Sequence, residues 1–283
     1  MSRKILVTGA TGTVGSRVIH ALRERGISAV AAVRNDTSAL PPQLLDVERR
    51  SFDYGDATTF APALDGVDGV FLLGPPLVPA LDDLLKPFID AIASSPTRRV
   101  IYLAALGLEK LPSMPFHTKA INHINKHGLD LTVVKPTFFA QNFKNYEGEN
   151  VLERNMIFVP ANDGKAAFVD VDDIARSIAA AFDNPATIGE EYLLTGPDLH
   201  SYADAADILT CILGRPISYV RPDVQTFRDA LASAGAPPFV ADYMVDVYSL
   251  IRDGHVNVVT DHVEKLTGQP PTRLRTVLER LFV

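Results

Sequence analysis

The feature that most constrains this chain is a glycine-rich turn directly after its first apolar segment. Ile5-Leu6-Val7-Thr8 is typical of a short buried strand, and Gly9-Ala-Thr-Gly12-Thr-Val-Gly15 follows at once. Glycine is needed where a chain turns tightly, where backbone approaches a phosphate and where a helix packs closely on a strand. Apolar residues from Val14 to Leu22 then recur at helical spacing, so the turn opens a helix. This order predicts a site for a dinucleotide pyrophosphate, and the alternative is a purely structural turn.

Strand and helix patterns alternate along most of the chain. Further strands are predicted at Ile27–Val33, Glu48–Phe52, Gly69–Leu73, Arg99–Leu103, Leu131–Lys135, Phe168–Val171 and Tyr192–Thr195. Helices are predicted at Thr58–Leu64, Pro79–Ala93, His117–Lys126 and Asp172–Phe182. Such alternation indicates a parallel sheet with helices on both faces. The predicted fold class is therefore α/β, a Rossmann-type doubly wound parallel sheet with a small C-terminal α/β substrate lobe.

A length of 283 residues fits one large or two modest domains. We expect a nucleotide-binding domain over residues 1–155, to which residues 166–187 return. A smaller substrate-side lobe is expected over residues 188–283, interleaved with residues 136–165.

Composition excludes several classes of protein. The net charge of −7 and the pI near 5.5 argue against a nucleic-acid-binding surface. Cys211 is the only cysteine, so an internal disulfide and a cysteine-based metal site are both impossible. The start of the chain does not resemble a signal peptide, and no apolar run is long enough to span a membrane. We expect a cytoplasmic protein, a monomer or homodimer, that acts on a small molecule.

The residue after the second predicted strand bears on the choice of nucleotide. An NAD site usually has an acidic residue there to bind the ribose hydroxyls, whereas this chain has Arg34. A guanidinium can bind a 2′-phosphate through two parallel hydrogen bonds, which favours NADP(H) over NAD(H). Asn35 and Asp36 follow, and Asp36 could weaken the preference for NADP(H) over NAD(H). The alternative for Arg34 is a solvated charge at a strand end.

The ends of the third and fourth strands are expected to reach the same nucleotide. Asp53-Tyr54 could flank the adenine, and Leu73-Gly74-Pro75 could approach the cofactor closely, although plain loop structure explains either equally well. The residues expected to bind the cofactor are Gly9, Thr11, Gly12, Thr13, Val14, Gly15, Arg34, Asp53, Tyr54, Leu73, Gly74 and Pro75.

Aromatic residues cluster after Pro136, where the strand–helix rhythm changes. They could line an apolar pocket for a substrate, which Phe239, Tyr243 and Met244 from the tail could close, or they could be ordinary core. The expected substrate-binding residues are Phe138, Phe139, Phe143, Tyr146 and Tyr243.

The glycine turn resembles that of the atypical short-chain dehydrogenase/reductases. Arg34, the segment Asp65–Phe71, and His117 ahead of Gly128–Pro136 narrow the resemblance to the NmrA-like branch, over residues 3 to about 195. The resemblance implies a Rossmann domain that binds NADP(H) and a small lobe that forms a cleft. Members of this family include quinone and imine reductases, and also redox sensors that bind the nucleotide without catalysis.

The chain departs from the family of short-chain enzymes at their catalytic pair. None of its eight tyrosines has lysine four residues later, and Ala104-Ala105 stands where the usual serine would fall. His117 is the substitute candidate, because histidine can donate a proton or anchor a substrate oxygen near neutral pH. Relatives commonly have Glu four residues after this histidine, whereas this chain has Ile121. The alternative is a core histidine bonded to backbone.

Two further polar groups have structural explanations that we favour. His123 and His127 have the spacing of a metal-binding pair, but no carboxylate or cysteine accompanies them within the helix, so no metal site is expected. Asp170, Asp172 and Asp173 precede or begin a predicted helix, where carboxylates act as caps.

Taken together, these features predict an NADPH-dependent oxidoreductase that lacks the Tyr-x-x-x-Lys pair. It would transfer hydride to a small flat acceptor such as a quinone, an enone or an imine or iminium ion, with His117 as donor or anchor. The alternative is a non-catalytic redox sensor that reads the NADP(H) ratio for a protein partner. A weaker third option is an isomerase or lyase that keeps the nucleotide as structure.

Overall fold

The computed structural model describes residues 3–34 and 41–283. Its strands are β1 (Lys4–Val7), β2 (Ser28–Val33), β3 (Glu48–Ser51), β4 (Gly69–Leu72), β5 (Arg99–Leu103), β6 (Asp130–Pro136), β7 (Met156–Phe158), β8 (Lys165–Ala166), β9 (Glu191–Leu194), β10 (His200–Ser201) and β11 (Ser218–Val220). Its helices are α1 (Thr13–Glu24), α2 (Phe60–Leu64), α3 (Leu81–Ser94), α4 (Phe116–Lys126), α5 (Asn142–Asn145), α6 (Gly148–Glu153), α7 (Val171–Asp183), α8 (Tyr202–Leu213), α9 (Val224–Ser233), α10 (Pro238–Arg252), α11 (His262–Thr267) and α12 (Leu274–Phe282).

The main sheet of the described residues has the order β3-β2-β1-β4-β5-β6-β9, and every pairing in it is parallel. The chain builds the sheet outward from β1 in one direction and from β4 in the other. The strand order therefore reverses between β1 and β4, where Val7 pairs with Phe71. The predicted α/β fold with a doubly wound parallel sheet is confirmed.

Helices cover both faces of this sheet. On one face α1 packs against α7, and the apolar positions of α1, such as Val18 and Leu22, are fully buried. On the other face α2, α3 and α4 bury residues such as Phe88 and Ile124. The two-sided burial explains why the strands appear in the sequence as nearly continuous apolar runs.

The predicted strand Phe168–Val171 is wrong. Val169 makes only an isolated bridge with Phe139, and α7 begins at Val171. Asp170 caps that helix through a hydrogen bond to the Asp172 amide, so the extended segment ends before it can form a ladder. The run is apolar because it is buried: Phe168 and Val169 are each no more than 2% exposed.

The C-terminal part adds two small sheets and several helices. β7 pairs with β11, and β8 pairs with β10, so residues 156–166 meet residues 200–220. β9, which lies beyond the expected boundary at residue 188, joins the edge of the main sheet next to β6. The division of the chain into two domains stays a prediction.

Candidate active site

The carboxyl ends of β1 and β4 lie side by side where the strand order reverses. Thr8 joins the two loops that follow them: its hydroxyl donates to the Leu73 carbonyl (3.1 Å) and accepts from the Leu73 amide (2.8 Å). Open parallel sheets bind their ligands in the crevice outside such a reversal. The glycine turn and the Leu73–Pro76 loop therefore form the two walls of a candidate nucleotide cleft.

The glycine turn has the geometry that a phosphate requires. Gly9 has φ +63°, a left-handed conformation that favours glycine. A Cβ on Gly15 would lie 2.1 Å from the Gly9 carbonyl oxygen, so only glycine lets α1 approach the turn this closely. Gly12 caps α1 without a side-chain hydrogen bond, which leaves the first-turn amides available to an anion. This part of the chain fits a dinucleotide pyrophosphate.

The other predicted cofactor residues lie around this cleft at different depths. Thr11 and Thr13 are exposed beside Gly12, and Val14 is buried beneath them. Arg34 is exposed directly after β2, at the carboxyl end of the sheet, whereas Asn35 and Asp36 lie outside the described residues. Leu73, Gly74 and Pro75 are half-buried.

Asp53 and Tyr54 follow β3, and Tyr54 contacts the loop after β4. Asp53 is exposed and its carboxylate accepts a hydrogen bond from the Gly55 amide. The Tyr54 ring packs edge-on against Phe52 at 4.8 Å, and its hydroxyl donates to the Leu73 carbonyl at 3.0 Å. Burial raises the pKa of Tyr54, so the hydroxyl remains a donor that holds the loop after β4.

His117 lies at the start of α4, where its ring contacts Tyr102 of β5. The Tyr102 hydroxyl is 2.6 Å from His117 Nδ1. Burial lowers the pKa of His117 to about 4, with a further contribution from the positive charge of Lys135. Burial also raises the pKa of Tyr102, so at neutral pH the phenol donates and the neutral imidazole accepts at Nδ1. The imidazole proton is then on Nε2, for which no partner exists among the described residues.

An apolar cavity of about 200 Å³ opens beyond the carboxyl ends of β5 and β6. Tyr102 and Ala104 project from the same face of β5 and its extension, and His117 contacts Tyr102 but is not among the residues that line the cavity. The residues that line the cavity are Ala104, Ala105, Leu106, Leu108, Pro136, Thr137, Phe138, Phe139, Asn142, Tyr146, Tyr202, Tyr243, Met244, Val247, Tyr248 and Leu250.

Four of the five expected substrate residues are among these, and Phe143 is not. Phe143 is 1% exposed and packs against Phe168 and Tyr202, at ring separations of 5.0 and 5.4 Å, behind the cavity wall. Tyr243 and Met244 of α10 line the cavity, whereas Phe239 is 48% exposed and is not among the lining residues. Aromatic residues that are close together in the sequence thus have two different positions: some line the cavity, and Phe143 packs in the core behind it.

Sequence reasoning missed two buried tyrosines that line the cavity. The rings of Tyr202 and Tyr248 pack edge to face with their centroids 6.1 Å apart, and burial raises the pKa of both. Burial also raises the pKa of Glu147 nearby, although hydrogen bonds from the Phe158 amide and Asn150 oppose that shift. Tyr248 follows Met244 by one helical turn, and this spacing could have predicted that it shares the cavity face of α10.

No helix within residues 3–34 and 41–283 is both long and apolar enough to cross a membrane.

The NmrA-like family matches residues 1–278 of the chain. An NAD(P)H azoreductase of Xenophilus azovorans is 30% identical over 271 residues, which cover 94% of this chain and 93% of the relative. An agroclavine dehydrogenase of Claviceps fusiformis is 29% identical over 94% of this chain and 93% of its own.

A solved structure of similar fold is an NADPH-dependent quinone oxidoreductase of Escherichia coli, complexed with NADPH. It is 26% identical, covers 99% of this chain and 100% of its own, and superposes with a TM-score of 0.89. The similarity therefore extends over both the nucleotide cleft and the segments that line the apolar cavity.

Proposed function

This chain belongs to the NmrA-like family, and we propose that it is an NADPH-dependent reductase that transfers hydride to a small flat acceptor such as a quinone, an enone or an iminium ion. The observation that carries the proposal is the apolar cavity beside the nucleotide cleft. An azoreductase, a dehydrogenase and a quinone oxidoreductase are similar over more than nine tenths of the chain, which supports a nicotinamide-dependent redox reaction.

The chain provides the contacts that the nucleotide needs. The first-turn amides of α1 bind the pyrophosphate, and Arg34 binds the 2′-phosphate and so selects NADP(H) over NAD(H). When bound, NADPH supplies the hydride, and the protein supplies binding, orientation and electrostatics.

The cavity limits the kind of acceptor. Its volume of about 200 Å³ is below the usual range for a drug-sized ligand, and its walls are largely apolar. The chain has neither a Tyr-x-x-x-Lys pair nor a serine at Ala104-Ala105 to protonate a simple carbonyl oxygen. Quinones, enones and iminium ions tolerate that absence, because the charge that develops on them is delocalised or was positive at the start.

The role we propose for His117, which does not itself line the cavity, is that of a neutral hydrogen-bond donor to an acceptor that extends out of the cavity. Its pKa of about 4 keeps it uncharged at neutral pH, and Tyr102 holds the tautomer that carries the proton on Nε2. A donor fixed in this way stabilises negative charge that develops on a substrate oxygen without giving up its proton.

The second candidate function is a redox sensor that binds NADP(H) without turnover. Two features favour the sensor: the chain lacks the Tyr-x-x-x-Lys pair, and the low pKa of His117 keeps that side chain neutral. Neither a tyrosine–lysine pair nor a charged histidine is then available as a strong proton donor. The cavity favours the enzyme, since a sensor has less need of a space for a second small molecule.

The two functions are separated by titrating NADPH and NADH binding and then following NADPH oxidation against a panel of quinones, enones and cyclic imines. Val247→Trp fills the cavity from α10, so we expect it to abolish turnover while NADPH affinity is retained. His117→Ala should lower kcat/KM by about a hundredfold. His20→Ala is the matched control, because His20 is exposed on α1 and pairs with Glu24.

Turnover that Val247→Trp abolishes would support the reductase and place the acceptor in the cavity. Turnover that survives His117→Ala would keep the reductase and leave His117 a packing residue. Tight NADPH binding with no oxidation by any acceptor in the panel would overturn the reductase in favour of the sensor.

A further inference from the structure

Three metal-ligating side chains converge between α3 and α4, away from the cleft and the cavity. His123 Nε2 lies 2.7 Å from Asp90 Oδ1, and His127 Nε2 lies 2.8 Å from the same oxygen. The two imidazole rings are 4.9 Å apart and nearly perpendicular. One ligand atom from each of the three side chains lies within 4.8 Å of the other two.

The convergence follows from the packing of the two helices. His123 lies in the last turn of α4 and His127 caps the end of that helix, so the two side chains, four residues apart, lie on the same side of it. That side packs against α3, which brings in the carboxylate that α4 itself lacks. The histidine side chains are 21% and 31% exposed, and Asp90 is 54% exposed, so the cluster is accessible from solvent.

The hydrogen bonds of the cluster suit a cation. Both histidine rings hydrogen-bond to the same oxygen of the Asp90 carboxylate. An ionised carboxylate only accepts hydrogen bonds, so both Nε2 atoms carry their protons toward Asp90. If those protons move to Nδ1, each Nε2 has a lone pair that can bind a cation together with the Asp90 carboxylate.

We propose that Asp90, His123 and His127 bind a divalent transition-metal ion of the zinc class. Two imidazole nitrogens and one carboxylate oxygen are a common ligand set for Zn²⁺, with an open fourth position for water. Tetrahedral bonds of about 2.0–2.2 Å place neighbouring ligand atoms about 3.3 Å apart. The present separations of 2.7 and 2.8 Å need to widen by only about half an ångström, which side-chain rotation provides.

The metal would cross-link two helices that both begin near the proposed active site. α3 starts at Leu81 after the Leu73–Pro76 loop, and α4 starts at Phe116 beside His117. The cluster lies toward the opposite ends of both helices, so the ion takes no part in the proposed chemistry. Its effect is on the stability of the α3–α4 pair, because an ion that binds only the folded state raises the free energy of unfolding.

The test uses untagged protein stripped with a chelator, which is then titrated with ZnCl2 by calorimetry and melted with and without Zn²⁺. We expect one ion per chain and a metal-dependent rise in Tm for the wild type. Asp90→Asn, His123→Ala and His127→Ala should each weaken binding by at least about tenfold and remove the rise in Tm. Cobalt(II) should give the absorption spectrum of a tetrahedral site in the wild type only.

Asp83→Asn and His20→Ala are matched controls, because they remove a carboxylate from α3 and a surface histidine outside the cluster. They should bind zinc as the wild type does. Circular dichroism of the metal-free variants shows whether each is folded. Zinc binding of unchanged affinity in the His123→Ala/His127→Ala double variant, or no binding by the wild type, would overturn the proposal and leave the cluster a hydrogen-bonded clamp.

Discussion

His117 owes its protonation state to its surroundings. The free side chain titrates near neutral pH, but burial and the charge of Lys135 lower its pKa to about 4. From the sequence His117 could donate a proton, anchor a substrate oxygen or be a core histidine, and the structure places its imidazole next to Tyr102. The residue type was sufficient to single out His117 as a candidate site residue, but it did not predict that the imidazole is neutral because of burial.

The lowered pKa of His117 makes the fold sensitive to acid. Between about pH 6.5 and 4 the unfolded chain binds a proton at His117 that the folded chain does not, so the free energy of unfolding decreases as pH falls. At pH 5 the loss is about 2 kcal/mol at most. His117→Gln cannot titrate, so in urea unfolding it should lose less stability than the wild type between pH 7 and pH 5.

His20→Gln is the control for this measurement and should follow the wild-type slope, because His20 is exposed on α1. Identical slopes for the wild type and His117→Gln would show that His117 is not held neutral in the folded state.

Arg34 is a second single residue with a large expected effect, because its guanidinium would select NADP(H) over NAD(H). We expect Arg34→Ala to weaken NADPH binding by about ten- to a hundredfold, since a charge-assisted hydrogen bond contributes about 1.5–3 kcal/mol. NADH binding should change much less, because NADH lacks the 2′-phosphate. Calorimetric titration of both nucleotides measures the difference.

Arg154→Ala serves as a control, since Arg154 forms an exposed pair with Glu149. An equal loss of NADPH and NADH affinity in Arg34→Ala would contradict a role at the 2′-phosphate.

At the scale of elements, the start of α1 combines a packing requirement with a binding function. A methyl group on Gly15 would lie 2.1 Å from the Gly9 carbonyl oxygen, so α1 would have to move away from the turn. We expect Gly15→Ala to lower the free energy of unfolding by about 1–3 kcal/mol and to abolish tight NADPH binding. Chemical denaturation and nucleotide titration measure the two effects separately.

Gly148→Ala is the matched substitution, because a Cβ there would make only an ordinary contact of 3.6 Å with Lys144. It should leave nucleotide affinity unchanged. Retention of full NADPH affinity by Gly15→Ala would mean that the first turn of α1 does not bind the pyrophosphate.

The side of α10 that faces the cavity is defined by helical spacing. Tyr243, Met244, Val247 and Tyr248 follow helical spacing and form one wall of the cavity. Of the tail residues expected to close the cavity, Tyr243 and Met244 line it, whereas Phe239 lies near the exposed start of the helix. Position on the helix face, rather than aromatic character, decides which residues reach the cavity.

At the scale of the whole molecule, the C-terminal segment is anchored to the start of α7 through buried carboxylates. The guanidinium of Arg280 in α12 pairs with Asp170, which is fully buried, and with Asp172 at 3.1 Å. Thr272 donates to buried Asp173 from its amide (2.6 Å) and its hydroxyl (2.9 Å). The cap residues of α7 therefore also hold the end of the chain.

We expect Arg280→Met to destabilise the protein by about 2 kcal/mol, because it leaves Asp170 buried without its cation. The full cost of an unpaired buried charge is reduced here, since Arg280 is 48% exposed and Asp170 keeps its hydrogen bond from Gln141. Thermal and urea unfolding measure the loss.

Arg275→Met makes the same substitution on the same helix at an exposed pair of 3.9 Å, and it should have little effect. Equal stability of the two variants would show that the Arg280 pair does not anchor the C-terminal helix.

Local information in the sequence was sufficient for the elements of the sheet and for the nucleotide turn. The positions of β1 to β6, the parallel character of the sheet and the start of α1 follow from apolar spacing and from three glycines, because backbone sterics and burial act over a few neighbouring residues. The same information failed at Phe168–Val171, where a buried apolar run ends in a helix cap instead of a strand.

Only the tertiary structure decided which distant side chains meet. Asp90 reaches His123 across 33 residues, Tyr202 and Tyr248 join one cavity wall, and Phe143 turns into the core while its neighbours face the opening. These outcomes depend on how helices pack on the sheet and on each other, and periodicity along the chain does not specify that packing. The sequence therefore determined the architecture and the cofactor turn, whereas the packing determined the charge of His117, the cavity wall and the carboxylate that completes the histidine pair.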